Sequence, residues 1–290
     1  GVTVVDTLDD AKYALKQLID DDEGRNKSAH LGYRQVMNNH TYTHRVGSIL
    51  DKLGIDSEVE FSDPKISLIT CTNRPEMISN ILENYDRQLW ENKELKLIID
   101  CEKKKFKQIV QQLKDRKDIH LELVKPGLSL GECFNLGMEL SSGDFIGKFD
   151  DDDLYGPHYL SDQMLPFEYT NADIVGKLCS FMYHEKSNST YLRFNNNRHK
   201  FSDLVLGPTF LFKSAVAEKV KMQKLSRGED TNFLKDCIKA GFKIYSTDPY
   251  NFVYMRKKVE GFHTWDATDD ELLKNAKQMG DLSPQEYAFV

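Results

Sequence analysis

The sequence has few cysteines and no CxxC pair. Its five cysteines, an odd number, are scattered along 290 residues; they are Cys71, Cys101, Cys133, Cys179 and Cys237. This spacing indicates neither a disulfide framework nor a zinc site. We therefore expect reduced thiols in a cytoplasmic protein.

Long apolar runs and an excess of positive charge are also missing. No stretch approaches the roughly 18 apolar residues of a membrane-spanning helix, and the first residues do not form a signal peptide. Any membrane contact is thus expected to be peripheral, at the inner face. A formal charge of -7 gives no electrostatic basis for sequence-independent binding of nucleic acid. The chain opens on Gly1 rather than Met, which predicts a piece of a longer parent protein.

The pattern of the chain changes near residue 61. Thr7 followed by Asp10 is a capping box ahead of apolar residues at helical spacing, and a second helical pattern runs from about residue 28 to 53. The polar stretch DSEVEFSDP then ends on Pro64, as a linker does. We predict a helical extension over residues 1–60 and a second domain over residues 61–290.

From Lys65 onward, short runs rich in Ile, Leu and Val alternate with segments of helical length. The runs are KISLIT, LKLIID, HLELVK and DFIGKFD. This alternation predicts an α/β fold with a parallel sheet, in which ligands bind beyond the carboxyl ends of the strands. The acidic run Asp150–Asp153 follows the fourth strand and is expected to face that crevice.

Four consecutive carboxylates in a cleft need a counter-charge, because two unit charges about 4 Å apart repel by about 4 kcal/mol at an effective dielectric of 20. Asp150 and Asp152 share one side of an extended or turning segment, which suits a hard divalent cation. A solvated acidic loop that caps the next helix is the alternative. An EF-hand loop is excluded, because Tyr155 and Ser161 stand where Gly and Glu are required. Phosphatases that form an aspartyl-phosphate also have a DxD motif after a strand, so this function is a further alternative.

The order of four motifs resembles the family 2 glycosyltransferases, which have the GT-A fold. ISLITCTNRPEMI is similar to their first strand and turn, LKLIID to their second strand, GDFIGKFDDDD to their metal-binding DxD, and RGEDTNFLKDCIKAGFKI to their ED motif. The likeness covers about residues 65–265. It implies a Rossmann-like, mostly parallel central sheet flanked by helices, here with an N-terminal helical extension.

The resemblance implies an inverting, metal-dependent hexosyltransferase that moves a sugar from a nucleotide sugar to a hydroxyl acceptor such as a cell-surface glycan. A departing diphosphate requires Mn²⁺ or Mg²⁺ to neutralise its charge. The implied metal ligands are Asp152, Asp150 and His263. The implied catalytic base is Asp230, and Glu229 beside it holds the acceptor or the donor sugar. An acidic first turn that stabilises its helix is the structural alternative for these two residues.

The resemblance also implies a nucleotide site. Asp100, after the second strand, matches a family Asp that accepts a hydrogen bond from the base, commonly uracil, so the donor is expected to be UDP-linked. The other implied contacts to the nucleotide are Thr70, Thr72, Asn73, Arg74, Asn135, Asp150 and Asp151. A role inside its helix is the alternative for Asn135.

The first 60 residues carry a second resemblance. HLGYRQVMNNHTYTHRVGSIL is similar to the C-terminal helical tail of spore-maturation-type glycosyltransferases, which have the two-domain GT-B architecture. It implies an upstream glycosyltransferase domain in the parent chain.

The alternative to an enzyme of polysaccharide biosynthesis is a non-catalytic module of the same fold that binds nucleotides or carbohydrates.

Overall fold

The computed structural model describes residues 3–55, 63–259, 262, 267–280 and 282–290. The chain separates into two compact units, with the division between residues 63 and 64. Within these described ranges no helix is both long and apolar enough to cross a membrane.

Three helices form the N-terminal unit: α1 (Leu8–Asp20), α2 (Asp22–Asn39) and α3 (Tyr42–Lys52). The predicted capping box begins α1, because Thr7 and Asp10 each accept a hydrogen bond from the other's backbone N–H. The single helical pattern predicted over residues 28–53 is divided between α2 and α3. The division falls at His40 and at Thr41, whose side chain accepts from the N–H of His44 and so begins a new helix. The predicted N-terminal helical region is confirmed. It contains three helices, whereas the apolar spacing predicted two.

The second unit contains all the strands of the described residues. They are β1 (Ile66–Thr72), β2 (Lys93–Ile99), β3 (Ile119–Leu123), β4 (Phe145–Lys148), β5 (Leu154–Tyr155), β6 (Ile174–Gly176), β7 (Ser180–His184), β8 (Ser189–Arg193), β9 (Lys200–Phe201), β10 (Leu211–Lys213), β11 (Ile244–Ser246), β12 (Phe252–Arg256) and β13 (Lys277–Gln278).

Helices of the second unit connect these strands. They are α4 (Ile78–Asp86), α5 (Lys103–Gln112), α6 (Leu130–Leu140), α7 (Tyr159–Tyr169), α8 (Ser214–Lys219), α9 (Glu229–Lys239), α10 (Asp269–Leu273) and α11 (Pro284–Ala288), with short 3₁₀ helices at Pro75–Met77 and Gly207–Thr209.

The strands form two sheets. The larger has eight strands in the order β3-β2-β1-β4-β10-β6-β11-β9, and the smaller has five in the order β13-β8-β7-β12-β5. In the larger sheet β3, β2, β1 and β4 run parallel, while β10 is antiparallel to both β4 and β6. The predicted α/β fold with a mostly parallel central sheet and flanking helices is confirmed; the smaller sheet was not predicted.

Alternating side chains of the central strands supply the two halves of the core. On β2, Leu95, Leu97 and Ile99 pack with Ile81 of α4, whereas Ile98 belongs to the cluster on the other face. Because both faces are covered, β1 and β2 are rich in buried apolar residues, as expected for strands of a mostly parallel sheet. The carboxyl ends of β1, β2 and β4 meet at one edge of the sheet.

Candidate functional site

A cavity of about 1110 Å³ lies at that edge of the central sheet. Thr72 ends β1, Asp100 follows β2 and Lys148 ends β4, and all three line the cavity. Residues 204–208 and the first residues of α9 also line the cavity. Segments that are far apart in the sequence thus share one solvent-filled space.

Negative charge exceeds positive charge in the lining drawn from the described residues. The carboxylates are those of Glu76, Asp100, Asp150, Asp151, Asp152, Glu229 and Asp230, and the basic side chains are those of Arg74, Lys148, Arg193 and Arg227. Seven acidic groups against four basic ones favour the binding of a cation with oxygen ligands.

Arg74 holds the acidic turn from the end of β1. Its Nε donates to Asp151 Oδ2 at 3.1 Å, one terminal nitrogen pairs with Asp151 Oδ1, and the same nitrogen lies 3.3 Å from Asp152 Oδ2. The Thr72 hydroxyl also donates to Asp151, and the N–H of Arg74 donates back to the Thr72 hydroxyl at 2.9 Å. Asp151 is thus a buried carboxylate whose two oxygens are both engaged within the protein, by Thr72 and Arg74.

Two amide side chains of α4 donate hydrogen bonds to the backbone of the same turn. Asn80 donates to the carbonyl of Asp151 at 2.7 Å, and Asn84 donates to the carbonyl of Asp153 at 2.8 Å. Asp153 is buried, and one of its oxygens accepts the N–H of Met255 at 2.9 Å. The two amides fix the backbone of the acidic run, while the N–H of Met255 and the guanidinium of Arg74 offset part of the repulsion among its carboxylates.

Lys148 links the acidic turn to α9. Its ammonium lies 3.2 Å from Asp150 Oδ1 and donates to Asp230 Oδ2 at 3.0 Å. Burial alone would lower the pKa of this lysine, but Asp150 and Asp230 raise it well above its ordinary value. Lys148 is therefore a permanent positive charge shared by two carboxylates whose positions differ by 80 residues.

Three carboxylates of this site, those of Asp152, Glu229 and Asp230, have pKa values above their ordinary ones. Burial, opposed by Lys148, leaves the pKa of Asp230 above its ordinary value. Burial and the neighbouring Asp230 raise the pKa of Glu229. Burial and repulsion from Asp150 raise the pKa of Asp152 to about 6. A divalent cation would relieve this repulsion, so the oxygen donors of Asp150 and Asp152 fit such an ion.

Glu229 and Asp230 are the first two residues of α9. Gly228 precedes them with φ +79°, a left-handed conformation that favours glycine and turns the chain into the helix. Glu229 Oε2 and Asp230 Oδ1 are buried and have no hydrogen-bond partner among the described residues. Each carboxylate therefore has an oxygen that can accept a proton or a hydrogen bond from a ligand.

Gly207 forms the surface on which the Asp230 carboxylate lies. A Cβ atom added to this glycine would lie 1.7 Å from Asp230 Oδ2 and 2.4 Å from its Cγ. Such an approach is far inside van der Waals contact, so glycine is required here by close packing.

We expect Gly207→Ala to displace the Asp230 carboxylate and to lower the free energy of unfolding by about 1–3 kcal/mol, the usual cost of overpacking. Urea denaturation measures this cost. In an Asp230→Ala background the cost should shrink, because the nearest atoms are then gone and the Asp230 Cβ, at 3.0 Å, remains. An equal cost in both backgrounds would show that the clash lies elsewhere.

The sequence was compared with models of known families. Residues 67–226, more than half of the chain, match the model described as Glycosyl transferase family 2. The chain belongs to this family. The matched region contains β1, β2, β4 and the whole acidic turn, and it ends just before α9.

Solved structures of glycosyltransferases share the fold. S. aureus TarS 1–349 in complex with UDP-GlcNAc is similar with a TM-score of 0.55 and 15% identity, over 77% of this chain and 69% of TarS 1–349. The mannosyltransferase PcManGT from Pyrobaculum calidifontis, in complex with GDP-Man and Mn²⁺, gives a TM-score of 0.54 and 15% identity, over 83% of this chain and 69% of that one. At these identities the likeness concerns the fold, which supports the predicted GT-A architecture.

The chain matches only part of the length of these structures. In two structures of TarS 1–349, one of them with UDP, the match covers 60% of the TarS chain and gives TM-scores of 0.52 and 0.53. No curated protein matches the sequence significantly.

Most of the predicted residues of this family 2 glycosyltransferase lie in the one cavity. Those in its lining are Thr72, Asn73, Arg74, Asp100, Asp150, Asp151, Asp152, Glu229 and Asp230. Thr70 is instead fully buried in β1, and the side-chain amide of Asn135 exchanges two hydrogen bonds with the backbone of Met222, at 2.8 and 2.9 Å. His263 lies outside the described residues.

The cavity also contains residues that were not predicted from the sequence, among them Lys148, Gly207 and Arg193. Lys148 had a local signal, since it ends β4 two positions before Asp150, and alternate residues of an extended segment lie on the same side. Gly207 lies in LGPTFLFK, which resembles the family segment under the sugar pocket, but its contact with Asp230 needs the fold. For Arg193 we find no signal in the sequence.

Proposed function

We propose that this protein is an inverting, metal-dependent glycosyltransferase that moves a hexose from a UDP-linked donor to a hydroxyl of a glycan acceptor. One observation carries the proposal above all: Lys148 joins the acidic turn after β4 to Asp230 at the start of α9, within one cavity. The acidic turn, proposed to act on the donor, and Asp230, proposed to act on the acceptor, thus lie next to each other.

The donor is proposed to lie over β1 and β2. Asp100 follows β2, and its N–H donates to the carbonyl of Thr72 at 2.9 Å, so the ends of the two strands form one floor. Asp100 is proposed to accept a hydrogen bond from the base, with Thr72 and Asn73 beside the nucleoside. Complexes of the structural relatives with UDP-GlcNAc and with GDP-Man support a nucleotide sugar as the donor.

Asp150 and Asp152 are proposed to hold a divalent cation, Mn²⁺ or Mg²⁺, with His263 as a further ligand. When bound, such an ion neutralises charge on a departing nucleoside diphosphate. Mn²⁺ in the PcManGT complex supports this assignment. Arg74, through its bonds to Asp151, holds the turn so that the other two carboxylates stay oriented toward the cavity.

Asp230 is proposed as the general base. Lys148 donates to its Oδ2, and its Oδ1 has no hydrogen-bond partner among the described residues, so the carboxylate has capacity left to take the proton of the acceptor hydroxyl. The acceptor oxygen then bonds to the anomeric carbon as the bond from that carbon to the phosphate oxygen breaks, which inverts the configuration. Glu229 is proposed to hold a hydroxyl of the acceptor or the donor sugar.

A screen of nucleotide sugars tests this function. With Mn²⁺ or Mg²⁺ present, a UDP-hexose at 100 times its dissociation constant should stabilise the fold by roughly 2.7 kcal/mol, seen as a higher melting temperature. Removal of the metal with EDTA, or Asp152→Asn, should abolish most of this effect. A transferred sugar with inverted anomeric configuration in NMR completes the assignment.

Other outcomes of the screen would replace the proposal. Stabilisation without any transfer or hydrolysis would favour a binding module, and phosphate release from simple phosphoesters, lost in Asp150→Asn, would favour a phosphatase. No stabilisation by any nucleotide sugar would contradict both glycosyltransferase and nucleotide-binding functions.

The N-terminal unit and the location of the protein are included in the proposal. We propose that residues 1–60 are the helical tail of an upstream GT-B domain, which the three consecutive helices support. We also propose that the protein is cytoplasmic and peripheral at the inner face of the membrane; the scattered, odd number of cysteines in the sequence supports a reducing compartment.

A further inference from the structure

Arg193 is a buried cation that lacks a counter-charge within the described part of the chain. It ends β8, its exposed fraction is 5%, and it lines the cavity. Among the residues that the structure describes, no carboxylate pairs with its guanidinium, and its Nε has no hydrogen-bond partner. Buried charged groups in proteins are usually paired, because an unpaired one destabilises the fold. A group that is absent from the protein itself is therefore the natural partner.

The neighbouring backbone keeps this arginine in place. Phe194 follows it with φ +50°, a left-handed conformation that is rare for a bulky residue. The guanidinium carbon of Arg193 lies 5.0 Å from the centre of the Phe194 ring. Such stacking orients the planar group and leaves its N–H donors for a ligand.

Arg193 and Asp100 lie toward opposite ends of the cavity. In the smaller sheet Arg193 pairs with Ser180, two residues after Leu178, which lines the cavity beyond the carboxyl end of β6. β6 is parallel to β2 and lies four strands away from it, a separation of about 19 Å at about 4.8 Å per strand. Arg193 is thus remote from the end of the cavity where the base of the nucleotide is proposed to lie.

We propose that Arg193 binds an anionic group of the sugar acceptor, either a carboxylate or a phosphate. This inference rests on the proposed glycosyltransferase function and specifies its acceptor. A guanidinium forms paired, charge-assisted hydrogen bonds with both anions, whereas neutral hydroxyls leave its buried charge uncompensated. Because the rest of the cavity carries surplus negative charge, an anionic acceptor is attracted at Arg193 and repelled elsewhere, which sets its orientation.

Two pairs of probes test the site without any need for sugar transfer. Binding of glucuronate and of sn-glycerol 3-phosphate is measured by calorimetry against their uncharged counterparts, glucose and glycerol. We expect at least one anion to bind tenfold or more tightly than its counterpart, and the preferred one identifies a carboxylate or a phosphate acceptor. Equal binding of charged and uncharged probes would overturn the proposal.

Variants assign the binding to Arg193. Arg193→Gln should weaken binding of the preferred anion by about 10- to 100-fold, the range expected for loss of a hydrogen bond to a charged group. Arg193→Lys should retain part of it, since charge remains without the planar fork. The matched control is Arg116→Gln, which removes a surface pair with Asp86 and should leave binding unchanged. Undiminished binding to Arg193→Gln would disprove the assignment.

The stability of Arg193→Gln separates a binding role from a structural one. If Arg193 serves a ligand, removal of its unpaired buried charge should leave the melting temperature unchanged or raise it. A large decrease together with unchanged probe binding would show that Arg193 only supports Phe194.

A final titration in saturating UDP distinguishes acceptor from donor. An anion that binds alongside UDP supports the acceptor assignment, and one that competes with UDP overturns it by placing Arg193 on the diphosphate. If no nucleotide sugar binds in the screen but the anions still bind through Arg193, the proposed function has failed and the anion site has not.

Discussion

Asp230→Asn is expected to lower the turnover number for sugar transfer by about 10²- to 10⁴-fold, the usual contribution of a general base. Asparagine keeps the shape of the side chain and can still accept the 3.0 Å hydrogen bond from Lys148. It cannot take a proton from the acceptor hydroxyl. Donor binding, which does not use this group, should change little. Steady-state rates and donor titrations with the same variant separate the two effects.

The control for this variant is Asp236→Asn. Asp236 is on the same helix, but its carboxylate bonds to Gln223 and Lys239 at the surface, so transfer should be unaffected. Because Asp230→Asn leaves the buried Lys148 with one carboxylate instead of two, its melting temperature is measured alongside the rates, so that a loss of folded protein is not mistaken for a loss of catalysis. Full activity of Asp230→Asn would exclude it as the base.

The pH profile should show the same carboxylate. The base works only when deprotonated, so kcat/KM should fall as pH decreases through the pKa of Asp230. Burial places this pKa above the ordinary value of 3.8, and the loss should therefore begin at a higher pH than for an exposed aspartate.

Local sequence patterns were sufficient for the elements that form the floor of the site. KISLIT overlaps β1 and LKLIID overlaps β2. Runs rich in apolar residues are typical of strands that are buried on both faces. The approach of Thr72, Asp100 and the acidic turn also followed from the sequence, since parallel strands that alternate with helices end at the same edge. These predictions depend on neighbouring residues only.

Other features depend on contacts between distant segments. β5 and β13 have two residues each, too few for a periodic signal, and they acquire strand geometry by pairing with β12 and β8. Thr41 interrupts an apolar pattern that continues on both sides. Arg193 is an ordinary residue in YLRF, and its functional interest comes from burial and from the absence of a counter-charge among the described residues, which only a folded structure reveals.

Lys148→Met is expected to lower the free energy of unfolding by about 3 kcal/mol. Removal of one partner of a buried ion pair typically costs 3–5 kcal/mol, and the lower value applies here because Asp150 and Asp230 keep 35% and 23% of their side-chain surface exposed. Urea denaturation at neutral pH measures the loss. The matched control is Lys213→Met, which breaks a 3.2 Å pair with Asp173 between two partly exposed side chains and should cost about 1 kcal/mol or less.

The cause of this loss can be separated from a simple packing defect. Without Lys148, which opposes the rise, the pKa of Asp230 in the folded state should lie still higher above its ordinary value, so the fold binds more protons than the unfolded chain and the deficit should shrink as pH falls. Adding Asp230→Asn should likewise restore part of the stability, because one unpaired charge is removed. A deficit independent of pH and additive with Asp230→Asn would mean that Lys148 stabilises the fold by packing, and that the charge link between the acidic turn and α9 is not what holds the site together.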